Sequence, residues 1–158
     1  MPRPFIGLIS DTHGLVRPQA LDALSGASRI IHAGDIGPPE VLQAFRNLAP
    51  VSAVRGNMDF EGPCADLRRT EVVEHGELLL YVLHDAGQLD LDPRAAGFAA
   101  VVSGHTHRPQ IESYNDVLHL NPGSAGPQRS SLPPSVMRLY VTESGLTPEL
   151  IELEPEPS

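Results

Sequence analysis

"PFIGLISDTHG", residues 4–14, joins a short apolar run to a polar turn closed by glycine. The run is too short for a helix and rich in Ile and Leu, so it reads as a buried strand. The same pattern of apolar run and polar end returns in "RIIHAGD", residues 29–35, and in "APVSAVRGN", residues 49–57. Between the first two runs, "RPQALDALSG" sets Ala20, Leu21 and Leu24 at helical spacing, with Gly26 placed as a stop. Between the second and third, "PPEVLQAFRNL" opens on proline, where a missing N–H costs a helix nothing. Strand, helix, strand, helix, strand predicts parallel pairing through right-handed crossovers.

After Asn57 the pattern changes. "RTEVVEHG" and "ELLLYVLHD" predict an antiparallel pair turning at His75-Gly76, a short helix fits residues 93–97, and "FAAVVSG" is again strand-like. "IESYND", "VLHLN", "SVMRLYVTE" and "LTPELIEL" then alternate strands with turn signals. The expected architecture is α/β, with two sheets packed face to face and helices outside. Residues 121–135, "NPGSAGPQRSSLPPS", have no periodicity, and loops of this length in compact domains tend to be functional or disordered. Residues 1–153 are expected to form one domain, with residues 154–158 as a disordered tail.

The chain has 158 residues, enough to bury about 70% of the surface its unfolded form exposes. Its net charge is −9, and all 11 basic residues are arginine, with Arg68-Arg69 the one adjacent pair. That balance disfavours nucleic acid as a partner. The apolar stretch of residues 5–9 is too short for a signal-peptide core, no segment has the length of a membrane span, and the single Cys64 cannot form an internal disulfide. A cytoplasmic protein is expected, without a membrane partner. Cys64 has no adjacent base and is read as inert.

The polar ends of the strand-like runs carry the chemistry. The first supplies Asp11 and His13, two apart and on one face of an extended chain. The second supplies Asp35 after Gly34, and the third Asn57 after Gly56. The run through Leu83 ends at His84, and "VVSGHTHRPQ", residues 101–110, adds His105 and His107. Taken alone, each motif also reads as a polar loop. Together they are seven oxygen or nitrogen donors just beyond strand ends, where α/β sheets bind ligands. Carboxylate, imidazole and amide without thiolate suit Mn, Fe, Ni or Zn rather than Ca or a structural zinc. Seven donors exceed one open catalytic site and suit two metals about 3.5–4 Å apart that share a carboxylate. The glycines before Asp35, Asn57 and His105 are expected to allow close backbone approach and unusual dihedrals.

"DTHG", "HAGD", "GNMD", "GHTH" and "NPGS" follow one another in the order and spacing of the calcineurin-like metallophosphoesterases. The sequence resembles their small bacterial and archaeal branch, the YfcE-type phosphodiesterases, from Ile6 to about Leu150. The resemblance implies a four-layer α/β sandwich, the metallo-dependent phosphatase fold, with a dimetal site at the strand ends. It assigns Asp11, His13, Asp35 and His107 to the first metal, and Asp35, Asn57, His84 and His105 to the second. Asp35, Asn57 and His84 become the catalytic candidates. Of the other histidines, His32 reads as a satisfied core residue or a brace behind the ligands, and His75 and His119 as turn and strand residues.

Two positions depart from the family pattern. Asp85 follows His84, where relatives more often have a small residue such as glycine. Met58 stands where nuclease and phosphatase relatives have a histidine able to protonate the leaving group. The implied activity is hydrolysis of small phosphodiesters by a metal-bridging hydroxide, with manganese the expected metal and Zn, Fe or Ni the alternatives. The expected partner is the small phosphoester itself, and self-association is left open. One rival is a non-catalytic binding module on the same fold, as in a retromer subunit with a degraded metal site. Another is a nuclease, which the acidic balance disfavours.

Overall fold

The computed structural model describes residues 3–59, 62–128 and 131–154. Strand β1 (Phe5–Ile9) leads through helix α1 (Pro18–Leu24) to β2 (Arg29–His32), and through α2 (Glu40–Arg46) to β3 (Val51–Ala53). The second half supplies β4 (Thr70–His75), β5 (Leu78–Leu83), β6 (Ala100–Val102), β7 (Gln110–Tyr114), β8 (Val117–Asn121), β9 (Ser135–Thr142) and β10 (Gly145–Glu152). They form two mixed five-stranded sheets, ordered β10-β9-β1-β2-β3 and β4-β5-β6-β8-β7. The α/β fold with paired sheets follows the expectation. β1, β2 and β3 run parallel in the first sheet, and β5, β6 and β8 run parallel in the second.

Alternation along the strands builds the layers. Ile6 and Leu8 of β1 meet Leu80 and Val82 of β5, and Ala100 and Val102 of β6, between the sheets. Phe5 and Ile9 turn the other way, toward Ala20 and Leu24 of α1 and Phe45 of α2. Gly7 lets α1 sit close, since a Cβ there would lie 3.0 Å from the Leu24 side chain. Outside the second sheet the cover is thinner. Tyr81, Leu83, Val101 and Val117 pack under Leu89, Leu91 and Phe98 from the loop between β5 and β6. That loop holds a three-residue 3₁₀ turn at Ala86–Gln88, and the helix expected at 93–97 is a set of turns. Pro93 sits where a helix can start, but Gly97 with φ of +86° ends it within one turn. Apart from Glu154, the expected tail at 154–158 lies outside the described residues. No helix among the described residues is long and apolar enough to cross a membrane.

Candidate metal centre

The parallel strands of both sheets deliver their carboxyl ends to one edge, and each sequence-predicted donor follows such an end. The β1–β2 ladder continues beyond the strands. Asp11 N–H donates to the Gly34 carbonyl at 2.9 Å, and His13 N–H to the Asp35 carbonyl at 3.0 Å. The loops carrying Asp11, His13 and Asp35 are therefore stitched together by backbone. From the second sheet, Gly104 N–H donates to the His84 carbonyl at 2.8 Å, which ties the His84 end to the loop of His105 and His107.

Two buried carboxylates stand at the centre, each with one oxygen held and the other turned inward. Asp11 Oδ2 accepts from Ser10 Oγ at 2.7 Å and from His105 N–H at 3.0 Å. Its Oδ1 is buried with no hydrogen-bond partner. It lies 3.2 Å from His107 Nε2 and 3.8 Å from the Nε2 atoms of His13 and His84. Asp35 Oδ1 accepts from Met58 N–H at 2.7 Å. Its Oδ2 faces His84 Nε2 at 3.3 Å and His13 Nε2 at 3.9 Å. One donor atom each from Asp11, His13 and His107, and one each from Asp11, Asp35 and His84, lie within 4.8 Å of one another. Donors bound about 2.0–2.2 Å from one ion would be about 3–3.5 Å apart, so these groupings fit a cation with little adjustment. A bare buried carboxylate oxygen is costly unless paired, which is a second reason the donor set suits a metal.

The local field agrees. Burial by itself lowers the His84 pKa, but Asp35 and Asp11 beside Nε2 and the Ala33 carbonyl at Nδ1 carry it above the ordinary histidine value. Burial raises the Asp35 pKa, and the His84 ring, the Met58 N–H and His13 outweigh it, so Asp35 ends below the usual carboxylate value. A field that favours a proton between these groups also favours a cation. His84 Nδ1 lies 2.7 Å from the Ala33 carbonyl, which can only accept. Nδ1 therefore carries the hydrogen, and Nε2 turns toward the carboxylates, the usual orientation of a ligating imidazole.

The backbone carries strain at these residues. Asp11, His13, Asp35, His105 and His107 all have positive φ, between 46° and 72°. Outside glycine such values are uncommon and concentrate at Asn, Asp and His, at a cost of about 1 kcal/mol each. Of the glycines expected to allow close approach and unusual dihedrals, Gly34 takes the dihedral, with φ of +105°, and Gly56 and Gly104 provide the space. A Cβ on Gly56 would run into Asp35, and one on Gly104 into Ser10 Oγ and Asp11 Oδ2. The strained conformations belong to the donors, and the glycines let the chains approach.

The remaining two donors lie at the open mouth. His105 Nδ1 is 3.3 Å from Asn57 Oδ1, and its Nε2 points toward Asp85 Oδ2 at 3.9 Å. Asn57 and the Met58 side chain are exposed. Thus Asp11, His13, Asp35, His84 and His107 form a tight cluster, and His105, paired with Asn57 at the mouth, joins neither of its two groupings.

A calcineurin-like phosphoesterase superfamily domain model matches residues 5–144. The chain belongs to that superfamily. A probable metallophosphoesterase of Methanocaldococcus jannaschii is 39% identical over 162 residues, covering 94% of this chain and 81% of its own. The phosphodiesterase YfcE of Escherichia coli is 30% identical over 151 residues, covering 80% and 82%. Among solved structures, an archaeal phosphodiesterase superposes with a TM-score of 0.80 at 27% identity, covering 94% of this chain and 99% of its own. Chaetomium thermophilum Vps29 shares the fold at a TM-score of 0.72, with 20% identity and coverage of 94% and 95%. The family is metal-dependent, its named homologues include phosphodiesterases, and this chain presents candidate metal-ligand residues.

Several residues around this candidate site brace the donors. Asp59 is buried and accepts from the N–H groups of Ile36 at 2.9 Å, Gly37 at 3.3 Å and Gly56 at 2.9 Å. It clamps the Asp35 loop to the Asn57 loop. Asn121 donates from Nδ2 to the Gly104 carbonyl at 2.9 Å and accepts from Gly123 N–H at 2.9 Å, bracing the loop of His105 and His107. Arg17 is buried and donates to the Ala125 and Gly126 carbonyls, while Ser124 Oγ donates to the Asp11 carbonyl at 3.0 Å. The "NPGS" turn is thereby held against the ligand loops. His32 is the satisfied core histidine. Its Nδ1 accepts from Gly34 N–H, so Nε2–H donates to Thr12 Oγ1, which donates to the Ile36 carbonyl. Burial, reinforced by His84, lowers its pKa to about 3, which keeps the ring neutral.

Proposed function

We propose that this chain is a phosphodiesterase that hydrolyses small phosphodiesters with two divalent transition metals, manganese the favoured pair. The carrying observation is the pair of buried carboxylates, each anchored through one oxygen and offering the other to several imidazole Nε2 atoms. In this reading Asp11, His13, Asp35 and His107 hold one ion, and Asp35, Asn57, His84 and His105 hold the other. Asp35 is the shared ligand that the family resemblance implies: its Oδ2 faces His13 of one set and His84 of the other, and Asp11 Oδ1 faces the same two rings. Divalent cations bound there supply Lewis acidity, acidifying water and offsetting charge on the phosphoryl oxygens.

The chain's own residues position and exclude. The Ala33 carbonyl fixes the His84 tautomer, and Met58 N–H and Ser10 Oγ hold the two carboxylates. Asn57 and His105, at the exposed mouth, meet the incoming phosphoryl group. The "NPGS" turn, tied to the Asp11 carbonyl through Ser124, walls the entrance on the side of His107. Small esters are favoured over nucleic acid by the net charge of −9.

A non-catalytic binding role on the same fold is the second reading, favoured by the likeness to Vps29. Metal content of the purified protein, followed by turnover of an aryl phosphodiester and the matching monoester with added Mn, separates the two. The phosphodiesterase reading expects about two metals per chain and faster cleavage of the diester. Two bound metals with no turnover of either ester would favour the binding role.

A further inference from the structure

The open cleft continues past the donors. Asn57, His84 and His105 line a cleft of about 630 Å³ whose lining also includes Arg55, Arg69 and Thr70. That volume lies within the usual range for small-molecule sites, about 300–1,000 Å³, and exceeds what one phosphoryl group needs. The arginines share this region because Arg55 N–H donates to the Arg68 carbonyl at 2.9 Å, setting the chain after β3 beside the start of β4. Arg55 is braced through Nη1 on the Ala65 carbonyl at 3.0 Å, which leaves its other nitrogens available. Among the described residues the Arg69 side chain has no hydrogen bond or ion pair, and it is exposed.

The surroundings make these two guanidinium groups informative. The chain carries a net charge of −9, and Asp85 and Asp90 line the same cleft. A substrate with a second negative charge is repelled everywhere in such a field except beside a local cation. A neutral leaving group would gain nothing from two guanidinium groups that stay solvated. A phosphate or carboxylate could take the forked, charge-assisted hydrogen bonds that arginine offers.

We propose that this arm of the cleft is a leaving-group subsite for a second oxyanion, held by Arg69 together with Arg55. The preferred substrates are then phosphodiesters whose leaving group bears its own carboxylate or phosphate. This rests on the phosphodiesterase reading. The test uses three aryl phosphodiesters with matched leaving-group pKa: a plain one, one with a carboxylate on the leaving ring, and one with a phosphate there. Their non-hydrolysable phosphonate analogues are titrated by calorimetry into the Mn-loaded protein.

Wild type is expected to favour each charged ester over the plain one by about tenfold in kcat/KM, the scale of one charge-assisted hydrogen bond, and phosphate more than carboxylate. In Arg69→Ala both ratios should fall toward one, and Arg69→Lys should restore part of them. The phosphonates should show the same ratios in affinity. Ratios near one in wild type, or unchanged in Arg69→Ala, would overturn the subsite. If no diester turns over, the phosphodiesterase reading falls by itself, and the phosphonate affinities still decide whether the second anion is held at Arg69.

Discussion

The candidate centre has two unlike halves. In the buried half, His84 is 6% exposed and Asp11 not at all, and both carboxylates are fixed through one oxygen. In the open half, the His105 side chain is 42% exposed, with Nδ1 toward Asn57 and Nε2 toward Asp85. The halves also differ in what braces them. The buried half is held by backbone ladders and by Asp59, and the His105 loop is held mainly through Asn121 and Asp11 Oδ2. The contrast suggests a division of labour: a preorganised half whose strain and bare oxygen are already in place, and a half at the mouth of the cleft where substrate is met.

If the halves are tied by a shared carboxylate, its loss should produce the largest effect. Asp35→Asn keeps an acceptor for Met58 N–H but removes the charge between His13 and His84. Both metals should weaken together, by more than the roughly 10–100-fold typical of residues that only support a ligand, and turnover should be lost. Asp35→Asn retaining two tight ions by calorimetry would break the link. His105→Ala sharpens the same contrast, since it should lower the stoichiometry from two ions to one while the buried half keeps its ion.

The donors on both sides of this contrast are legible in the sequence, and the contrast itself is not. The strand ends carrying Asp11, Asp35, Asn57, His84 and His105 could be read because hydrophobic periodicity and turn residues are local signals. The bracing was not legible. Asp59 looks like an ordinary turn aspartate beside Asn57, and its three backbone donors come from residues up to 23 positions away. Met58 could be read for the imidazole it lacks, but not for the N–H it gives Asp35. Nor does any local pattern announce positive φ at aspartate and histidine, because tertiary contacts force it. The thin cover over the second sheet escaped for a similar reason. Residues 93–97 have some helical character, and the chain leaves that path at Gly97 to reach β6.

Asp59 gives an intermediate effect, on stability as well as on the centre. Asp59→Ala would leave the N–H groups of Ile36, Gly37 and Gly56 without their acceptor. Each stranded buried donor costs about 1–3 kcal/mol, and the Ile36 and Gly56 bonds are both buried, so a loss of about 2 kcal/mol or more is expected. Urea unfolding reads the stability, and calorimetry reads the metal. Because the clamp joins the Asp35 loop to the Asn57 loop, both ions should weaken. Loss confined to the open half would show that the buried half stands without it.

The smallest effect belongs to Met58, at the rim of the open half. Its side chain is 53% exposed, so Met58→His should leave the fold and the Met58 N–H bond to Asp35 in place. A thioether cannot donate a proton to a departing alkoxide, and the nearby acids are poor substitutes. Asp59 is buried and occupied by three backbone N–H groups. Asp85 Oδ1 accepts from Gly87 N–H at 2.9 Å, and its Oδ2 faces His105. General acid catalysis contributes about 10²–10⁴-fold, and its absence should make turnover depend steeply on leaving-group pKa. Aryl diesters, whose leaving groups need no proton, should then be cleaved far faster than alkyl diesters. Met58→His should raise alkyl turnover by about tenfold, a fraction of that full range, and change aryl turnover little. The measurement is log kcat/KM against leaving-group pKa for both proteins at matched Mn loading. A shallow wild-type slope would mean that the open half already holds an acid, and Asp85, beside His105, would be the first residue to replace.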